Sequence, residues 1–245
     1  MVAQGVIYPL RATFFEQKNM IFEYKTDFMR SVQNLVARGF THYTTGIVEK
    51  TKYNAVYEKL KTQYETEMTT QQRWRARKKG YAVTHLLAFV LNDEEIFFIL
   101  LATAGQGDVY EFEKLKDVSK RHERIEITGY ELLKMPRKGA PPAWTWKMTD
   151  NTFNFWRKRL KRAIRWKSKR FINQCVYSLS RLPKFHAIRQ QAYKLIQFAK
   201  ADWKRTFKNS EPCPFDSIFL GFYGRYQTAK KIEASELKKY SVKRL

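Results

Sequence analysis

The cations between positions 155 and 171, in the stretch FWRKRLKRAIRWKSKRF, are the side chains of this sequence best suited to bind a ligand. Nine of these seventeen residues are Lys or Arg, none is acidic, and two Trp and two Phe lie among them. Lys and Arg neutralise phosphates, and the release of condensed counterions favours such binding. We therefore predict that this segment contacts the phosphate backbone of a nucleic acid. The predicted contact residues are Arg157, Lys158, Arg159, Lys161, Arg162, Arg165, Lys169 and Arg170.

Three other roles for this segment remain open on the sequence alone. A basic helix face can simply keep a protein soluble, although like charges four residues apart, such as Arg157 and Lys161, repel by about 0.2–0.5 kcal/mol. Trp and Phe opposite Lys and Arg are also typical of a helix that lies on a membrane surface. An acidic protein, or an assembly of RNA and protein, is a further candidate partner. We favour a nucleic acid because no acid balances the charge of the segment.

A second basic group lies in the stretch TTQQRWRARKKG, residues 69–80. Trp74 lies inside this group and could stack on a base, but a core position is the more frequent role of such a residue. The cations of the group, all predicted to bind nucleic acid, are Arg73, Arg75, Arg77, Lys78 and Lys79.

Histidines are the candidate catalysts of a competing hypothesis, a nuclease without a recognisable metal motif. None of the four histidines forms an HxH, HxxxH or HExxH pair, and the sequence has no P-loop or nucleophile elbow. We therefore predict neither a metal nor a cofactor. A general base can still cleave RNA, and His42, His85 and His122 are the candidates. We expect His85 to be a hydrogen-bonded core residue and His122 to be exposed.

The charge of the whole chain also favours a polyanionic partner. The net charge is +24 over 245 residues. Residues 150–245 contain 24 Lys or Arg and six acids, a net charge of +18, whereas residues 1–149 contain 23 and 17, a net charge of +6. Repulsion on this scale destabilises a compact state that lacks counter-charge. The same shift divides the chain into two predicted regions, 1–149 and 150–245, although both could belong to one domain.

Several protein classes are disfavoured by the sequence. Cys175 and Cys213 do not form a disulfide framework or a zinc motif, which favours a reducing compartment, and we expect Cys175 to be a buried thiol. The most apolar window, residues 81–102, is interrupted by NDEE at 92–95, which argues against a membrane span. The first residues lack the pattern of a signal peptide. We expect a cytoplasmic protein, and a membrane is a disfavoured partner.

Hydrophobic periodicity and turn residues predict the elements that position these side chains. In the first region, apolar strands form two β-hairpins, one around NDEE and one around the loop PRKGAPP. The near-continuous apolar character of the first hairpin predicts burial on both of its faces. The predicted strands are 6–15, 40–48, 81–91, 96–104, 124–135 and 143–148, and the predicted helices are 22–38, 50–66, 69–80 and 109–121.

The basic segment belongs to a helical region. An apolar stripe at three- and four-residue steps predicts one helix from Asp150, its N-cap, to about residue 181, with a polar gap at 167–168. Pro183 separates it from a second helix, and the short link favours antiparallel packing of the two. The remaining predicted elements are that second helix at 184–207, a strand at 217–226 and a short helix at 229–245.

These elements predict an α+β fold: a mixed α/β region with two antiparallel β-hairpins and flanking helices, followed by a basic helical hairpin. The predicted function is to bind RNA or DNA through that hairpin, within a nucleoprotein complex of a plasmid, phage or defence system that could include protein partners. The alternatives are the nuclease described above and a structural subunit of a protein assembly. A non-enzymatic role is favoured because the sequence shows no catalytic motif.

Overall fold

The computed structural model describes residues 20–208, 210–221, 231–233 and 237, so the strand predicted at 6–15 lies outside the described residues. It confirms the α+β class, with seven α-helices and two sheets within the described ranges. The helices are α1 (Lys25–Ala37), α2 (Tyr53–Tyr64), α3 (Thr70–Lys78), α4 (Asp108–Phe112), α5 (Asp150–Arg165), α6 (Lys169–Ser180) and α7 (His186–Phe207). The strands are β1 (Met20–Phe22), β2 (His42–Glu49), β3 (Thr84–Val90), β4 (Glu95–Ala102), β5 (Lys116–Asp117), β6 (Glu126–Ile127), β7 (Tyr130–Arg137), β8 (Ala140–Met148) and β9 (Lys231–Glu233).

The larger sheet has the strand order β5-β2-β4-β3-β1-β9. β1 pairs with β3 in parallel, and the other neighbours are antiparallel. The predicted β3–β4 hairpin is confirmed. Its turn is held by Asn92 Oδ1, which accepts hydrogen bonds from the backbone N–H groups of Glu94 and Glu95 at 2.9 and 2.8 Å.

Both faces of this sheet are covered, as the continuous apolar strands predict. Side chains alternate between the faces of a strand, so Leu87 and Ile99 join the main core together with residues of α1. Ala88 and Leu100 point the other way, into smaller clusters that contain buried tyrosines of α2. The sheet is therefore a fixed platform between two helical layers.

The smaller sheet, β6-β7-β8, contacts α1 and α7 through β8. Trp146 of β8 is fully buried, and its Nε1–H donates a hydrogen bond to the Met29 carbonyl oxygen at 2.9 Å. A hairpin of β7 and β8 is confirmed, but its loop is shorter than predicted, since the strands extend through Pro136, Pro141 and Pro142. Proline is tolerated here because β8 is an edge strand and β6 does not reach Pro136. The single strand predicted at 124–135 is wrong: Thr128 and Gly129, with φ of 43° and 82°, turn the chain so that β6 pairs with β7.

The helix predicted at 109–121 is wrong beyond Phe112. Lys116–Asp117 form β5, which pairs with β2 at the edge of the larger sheet. The Asp117 carboxylate accepts a hydrogen bond from the Ser119 N–H at 2.9 Å, and the Asp117 N–H donates to Glu123 Oε2 at 2.7 Å. Side-chain bonds of this kind compete with a helix, and together with the pairing to β2 they outweigh the helical periodicity.

The single helix predicted from Asp150 to about residue 181 is two helices, α5 and α6. Lys167 has a φ of 51° and interrupts the helix. Ser168 is the N-cap of α6, and its Oγ accepts a hydrogen bond from the Phe171 N–H at 3.4 Å. The polar gap in the apolar stripe is therefore a break, whereas the second predicted helix is confirmed as α7.

The three helices also pack differently from the predicted antiparallel pair. α7 packs on α5, and the two run in the same direction because α6 reverses the chain between them. The Gln191 side chain bonds the backbone of Met148, just before α5, and Asp202 meets Arg165 at the end of α5. This packing buries the apolar stripe of α5, which consists of Trp156, Leu160, Ala163 and Ile164.

The predictions for the last part of the chain need correction where the structure describes it. Residues 218–221 contain no strand, and residues 222–226 lie outside the described residues. Lys231–Glu233 form β9 instead of a helix, because they pair with the edge of β1. The helices in the described ranges include none that combines the length and the apolar composition needed to cross a bilayer.

The main hydrophobic core draws residues from both sides of position 149. Phe28 and Trp146 share it with Leu160 of α5 and Leu195 of α7. The basic helices are thus anchored to the same core as the sheets. The division of the chain at 149/150 stays a prediction.

Candidate nucleic-acid interface

Helix α5 carries six of the eight cations predicted in the basic segment. Its N-cap is Thr149 and not Asp150 as predicted: Thr149 Oγ1 accepts a hydrogen bond from the Thr152 N–H at 3.3 Å. Because α5 buries only one stripe, a broad face remains in contact with solvent. All six cations lie on that face, and all except Arg159 are exposed.

Arg157, Lys161 and Arg165 form a row along α5. Residues four apart on a helix are about 6 Å apart along its axis. The row borders a groove of about 520 Å³ between α5 and α7, which Phe198 and Arg205 also line. The Arg157 guanidinium lies 5.0 Å from the centre of the Phe198 ring. The groove therefore presents regularly spaced cations along one wall.

The groove has one acidic lining residue, Asp202, whose side chain is almost fully buried. Asp202 Oδ1 accepts a hydrogen bond from Arg205 Nη2 at 3.1 Å, and Oδ2 lies 3.9 Å from Arg165 Nε. One carboxylate can orient both guanidiniums but balances only one of their charges. In the part of the chain that the structure describes, Arg165 is the only one of the eight predicted cations with a carboxylate within 4.0 Å.

Lys158 and Arg162 lie beside this row on the exposed face of α5. The Arg162 guanidinium is 5.2 Å from the ring centre of Trp166 and 5.6 Å from that of Phe171. Trp166 is 68% exposed. An arginine beside an open aromatic ring is a combination that binds unpaired bases and phosphates together.

Arg159 differs from the other cations of α5 because it is half-buried. Its guanidinium lies 5.2 Å from the centre of the Trp156 ring. Cys175 is buried, as predicted, and burial raises the pKa of its thiol, an effect that the neighbouring Arg159 opposes. Arg159 therefore packs α5 against α6 and offers less surface to a ligand than its neighbours do.

Lys169 and Arg170 lie in the first turn of α6, and both are exposed. The positive end of the helix dipole makes this an unfavourable place for cations. The turn contains no acidic residue that could offset the cost. A bound anion would offset it.

The second predicted group lies on α3 and lines other grooves. Thr69 caps α3 in a capping box, as the sequence predicts. Arg75 and Lys79 line a groove of about 550 Å³. Arg73 and Arg77 line a smaller one. The structure therefore does not join the α3 cations to the groove between α5 and α7.

The prediction that Trp74 occupies a core position is wrong. Its side chain is 62% exposed, and Lys78 Nζ lies 5.3 Å from the centre of its ring. Trp74 and Ala76 are the only apolar residues of α3, too few to form a buried stripe. The ring is consequently available for contacts outside the protein.

The three histidines of the nuclease hypothesis are not brought together. His42 pairs with Ala102 of β4 and His85 with Leu101, which places the two histidines on opposite faces of the sheet. His122 is exposed, as predicted. A search of the described residues finds no three His, Cys, Asp or Glu side chains close enough to hold a metal ion.

His85 is buried, as predicted, but the hydrogen bond expected for it is missing on one side. Its Nδ1 has no hydrogen-bond partner within the described ranges. Burial, and then the positive charges of Arg73, Arg77 and Arg38, lower the pKa of His85 to about 3. The imidazole is therefore neutral at physiological pH.

Sequence reasoning missed several residues that the fold adds to these grooves. Phe198, Asp202 and Arg205 follow one another at helical spacing along α7, so their shared face could have been read from the sequence. Arg38 lines one cavity with Arg73 and Arg77 only because of the tertiary fold, and no local pattern indicates it.

Comparisons with known proteins do not add a function to this geometry. No family model matches the chain. Neither a curated protein nor a solved structure matches it. The candidate interface therefore depends on the positions and charges described above.

Proposed function

We propose that this protein binds the phosphate backbone of a nucleic acid through the cations of α5 and the groove between α5 and α7. One observation carries the proposal. The exposed face of α5 displays five exposed cations, and the described residues supply only Asp202 as a carboxylate partner. A polyanion would supply the negative charge that the described residues do not provide at this surface.

The fold holds these cations close together. The buried stripe of α5 fixes the helix to the core, so the backbone positions that carry its cations are fixed as well. Pairs such as Arg157 and Lys161 then repel each other by about 0.2–0.5 kcal/mol. Phosphates would remove that repulsion and release their own counterions.

Binding to a membrane surface is less well supported than binding to a nucleic acid. Trp156, Leu160 and Ile164 would have to enter the lipid, but they are buried in the protein core. The aromatic residues that remain exposed on α5 and at its end are Phe155 and Trp166, on the same side of the helix. Two separated rings suit stacking on unpaired bases, which contributes about 1–3 kcal/mol per base.

Fluorescence polarisation would test this proposal with labelled single- and double-stranded RNA and DNA of equal length. If four phosphates are contacted, affinity should fall by about 100-fold between roughly 50 and 200 mM salt. We expect single strands to bind at least as tightly as duplexes. Weak binding at low salt, or an affinity that does not depend on salt, would contradict the proposal.

A triple variant tests whether α5 makes the contacts. Arg157→Gln, Lys158→Gln and Lys161→Gln remove three exposed cations but leave the Arg165–Asp202 pair intact. The slope of log affinity against log salt should decrease by about 2–3, at about 0.7–0.9 per lost phosphate contact. All nucleic-acid sequences should be affected alike because backbone contacts carry no sequence information.

The matched control removes the same charge elsewhere. Lys59, Lys114 and Lys134 are also exposed, and none of them lines the groove between α5 and α7. Changing these three residues to Gln should leave most of the affinity intact. Equal losses in both triple variants would mean that net charge alone attracts the nucleic acid and that α5 is not the interface.

A further inference from the structure

A second basic cavity, of about 230 Å³, lies where the end of α1, helix α3 and strand β3 meet. It is separate from the groove between α5 and α7, with which it shares no lining residue. Three arginines contribute to its wall, one from α1's C-cap and two from α3. The polar and aromatic lining residues are Arg38, Phe40, Thr70, Arg73, Trp74, Arg77 and His85.

The described lining residues of the cavity include three arginines and no Asp or Glu. Burial, and then the charge of Arg77, lower the pKa of Arg73 to about 10. The same cluster of arginines contributes to the lowered pKa of His85. Both pKa shifts follow from burial away from water and from the short distances between the cations. An anion in the cavity would reverse the repulsion.

Two polar atoms at this cavity lack partners. His85 is only 5% exposed, and its Nδ1 has no hydrogen-bond partner within the described residues. Arg73 Nε is also buried and has no hydrogen-bond partner in the part of the chain that the structure describes, although Arg73 Nη2 donates a hydrogen bond to the Thr66 carbonyl oxygen at 3.0 Å. Buried polar groups are normally satisfied. Unsatisfied groups beside a cationic cavity are consistent with a ligand that supplies the missing hydrogen-bonding atoms.

The aromatic residues of the cavity indicate what accompanies the anion. Trp74 is 62% exposed at the rim, with Lys78 Nζ 5.3 Å from its ring centre. Phe40 lies 5.0 Å from the His85 ring and 4.9 Å from the Arg77 guanidinium, so it supports both groups. An open indole beside a cluster of guanidiniums can stack on a planar base while the arginines hold its phosphate.

We propose that this cavity binds a nucleoside monophosphate unit, with its phosphate between Arg38, Arg73 and Arg77 and its base on Trp74. The unit is either a free nucleotide or the 5′-phosphorylated end of a strand, since both present the same chemistry. The cavity is smaller than the roughly 300–1,000 Å³ typical of sites for larger ligands, which suits a single nucleotide. This site does not require α5 to bind nucleic acid.

Isothermal titration calorimetry of the full chain would test the site with inorganic phosphate and with a nucleoside 5′-monophosphate. Arg77→Gln removes one exposed guanidinium from the cavity, and Arg75→Gln removes the same charge from another side of the same helix. We expect Arg77→Gln to weaken binding of both ligands by about 10-fold or more. Arg75→Gln should leave it nearly unchanged. Trp74→Ala should weaken the nucleotide but not inorganic phosphate.

Two further measurements make the result decisive. The His85 ring signals in NMR spectra should shift on addition of phosphate, and they report on the folded protein directly. Short oligonucleotides with a 5′-phosphate or a 5′-hydroxyl then distinguish the sources: a preference for the phosphate identifies a strand end, and its absence identifies a free nucleotide. The proposal is overturned if neither ligand binds at millimolar concentration, or if Arg75→Gln and Arg77→Gln weaken binding equally.

The Gln variants of Arg157, Lys158 and Lys161 separate this proposal from the function proposed for α5. They should keep binding the monophosphate even where they lose longer nucleic acids. If they lose the monophosphate as well, the cavity is not an independent site and the proposal fails.

Discussion

At the scale of single side chains, the half-buried Glu131 and the buried His85 show two ways in which the fold accommodates an ionisable group. Burial acts to raise the pKa of Glu131, but hydrogen bonds from Lys147 and Arg124, at 2.9 and 3.0 Å, outweigh it and lower the pKa. His85 has no acid to pair with and stays neutral. Glu131 is therefore ion-paired, His85 is neutral, and five of the six cations of α5 lie exposed at the surface.

His85 should make the protein less stable in acid. Its folded pKa of about 3 lies below the ordinary value of 6.5, so between these values the unfolded state binds a proton that the folded state does not. The free energy of unfolding should therefore fall as the pH drops from about 6.5 towards 3. The contribution of this group is at most about 1.4 kcal/mol per pH unit.

Urea unfolding at about pH 7, 5.5 and 4.5 measures this dependence. His85→Gln should show a shallower loss of stability than the wild type across that range. His122→Gln, which removes an exposed imidazole, is the matched control. If the His85→Gln slope equals the wild-type slope, protonation of His85 does not lower the free energy of unfolding.

The sequence could identify the cations at the scale of residues, but not their environment. A run of nine Lys and Arg without an acid is visible in the sequence. That Arg159 turns partly inward, or that Asp202 reaches Arg165 from another helix, depends on tertiary packing. The role of Trp74 was misjudged because the frequent burial of Trp outweighed the scarcity of apolar residues in α3.

At the scale of elements, the start of α5 offers a sharp comparison between two neighbouring residues. Thr149 supplies the N-cap hydrogen bond, and Asp150 is 91% exposed with Lys147 Nζ 3.9 Å away. Thr149→Ala should lower the free energy of unfolding by about 1 kcal/mol. Asp150→Ala should lower it by only about 0.3–0.5 kcal/mol, through the helix dipole.

Thermal and urea unfolding of both variants would measure the difference. If Asp150→Ala is the more destabilising variant, the N-cap of α5 is Asp150, as the sequence predicts, and not Thr149. Thr149→Ser keeps the hydroxyl group and should stay close to the wild type.

Elements with a strong apolar period could be predicted, and those held by distant strands could not. α7 and the β3–β4 hairpin follow directly from their apolar spacing. β5 and β9 are only two and three residues long, and each exists because an edge of the larger sheet is available to it. Such short strands have no periodicity of their own.

At the scale of the whole molecule, the shared core predicts that the chain unfolds in one step. Phe28 and Trp146 of the first region belong to the same core as Leu160 and Leu195 of the second. We expect the calorimetric and van't Hoff enthalpies of unfolding to agree, and far-ultraviolet circular dichroism and Trp fluorescence to give the same midpoint. Two separate transitions would instead support two domains divided near 149/150.

The charge shift at that position illustrates a limit of composition. The shift coincides with the start of α5 at Asp150, although the basic helix α3 lies before it. It carries no information about which surfaces pack together, because α5 buries its apolar stripe and leaves its charges outside. A change in surface charge and a boundary between cores are therefore separate properties of a chain.

The pairing of β9 with β1 has a consequence for biosynthesis. β1 emerges from the ribosome early and β9 late, so one margin of the larger sheet stays unprotected during most of translation. A bare strand margin can recruit strands from other chains. A transcript truncated before codon 231 would yield a product that keeps the polycationic helices but loses this protective strand. Such a product should pair with strands of other chains and aggregate more readily than the full-length protein.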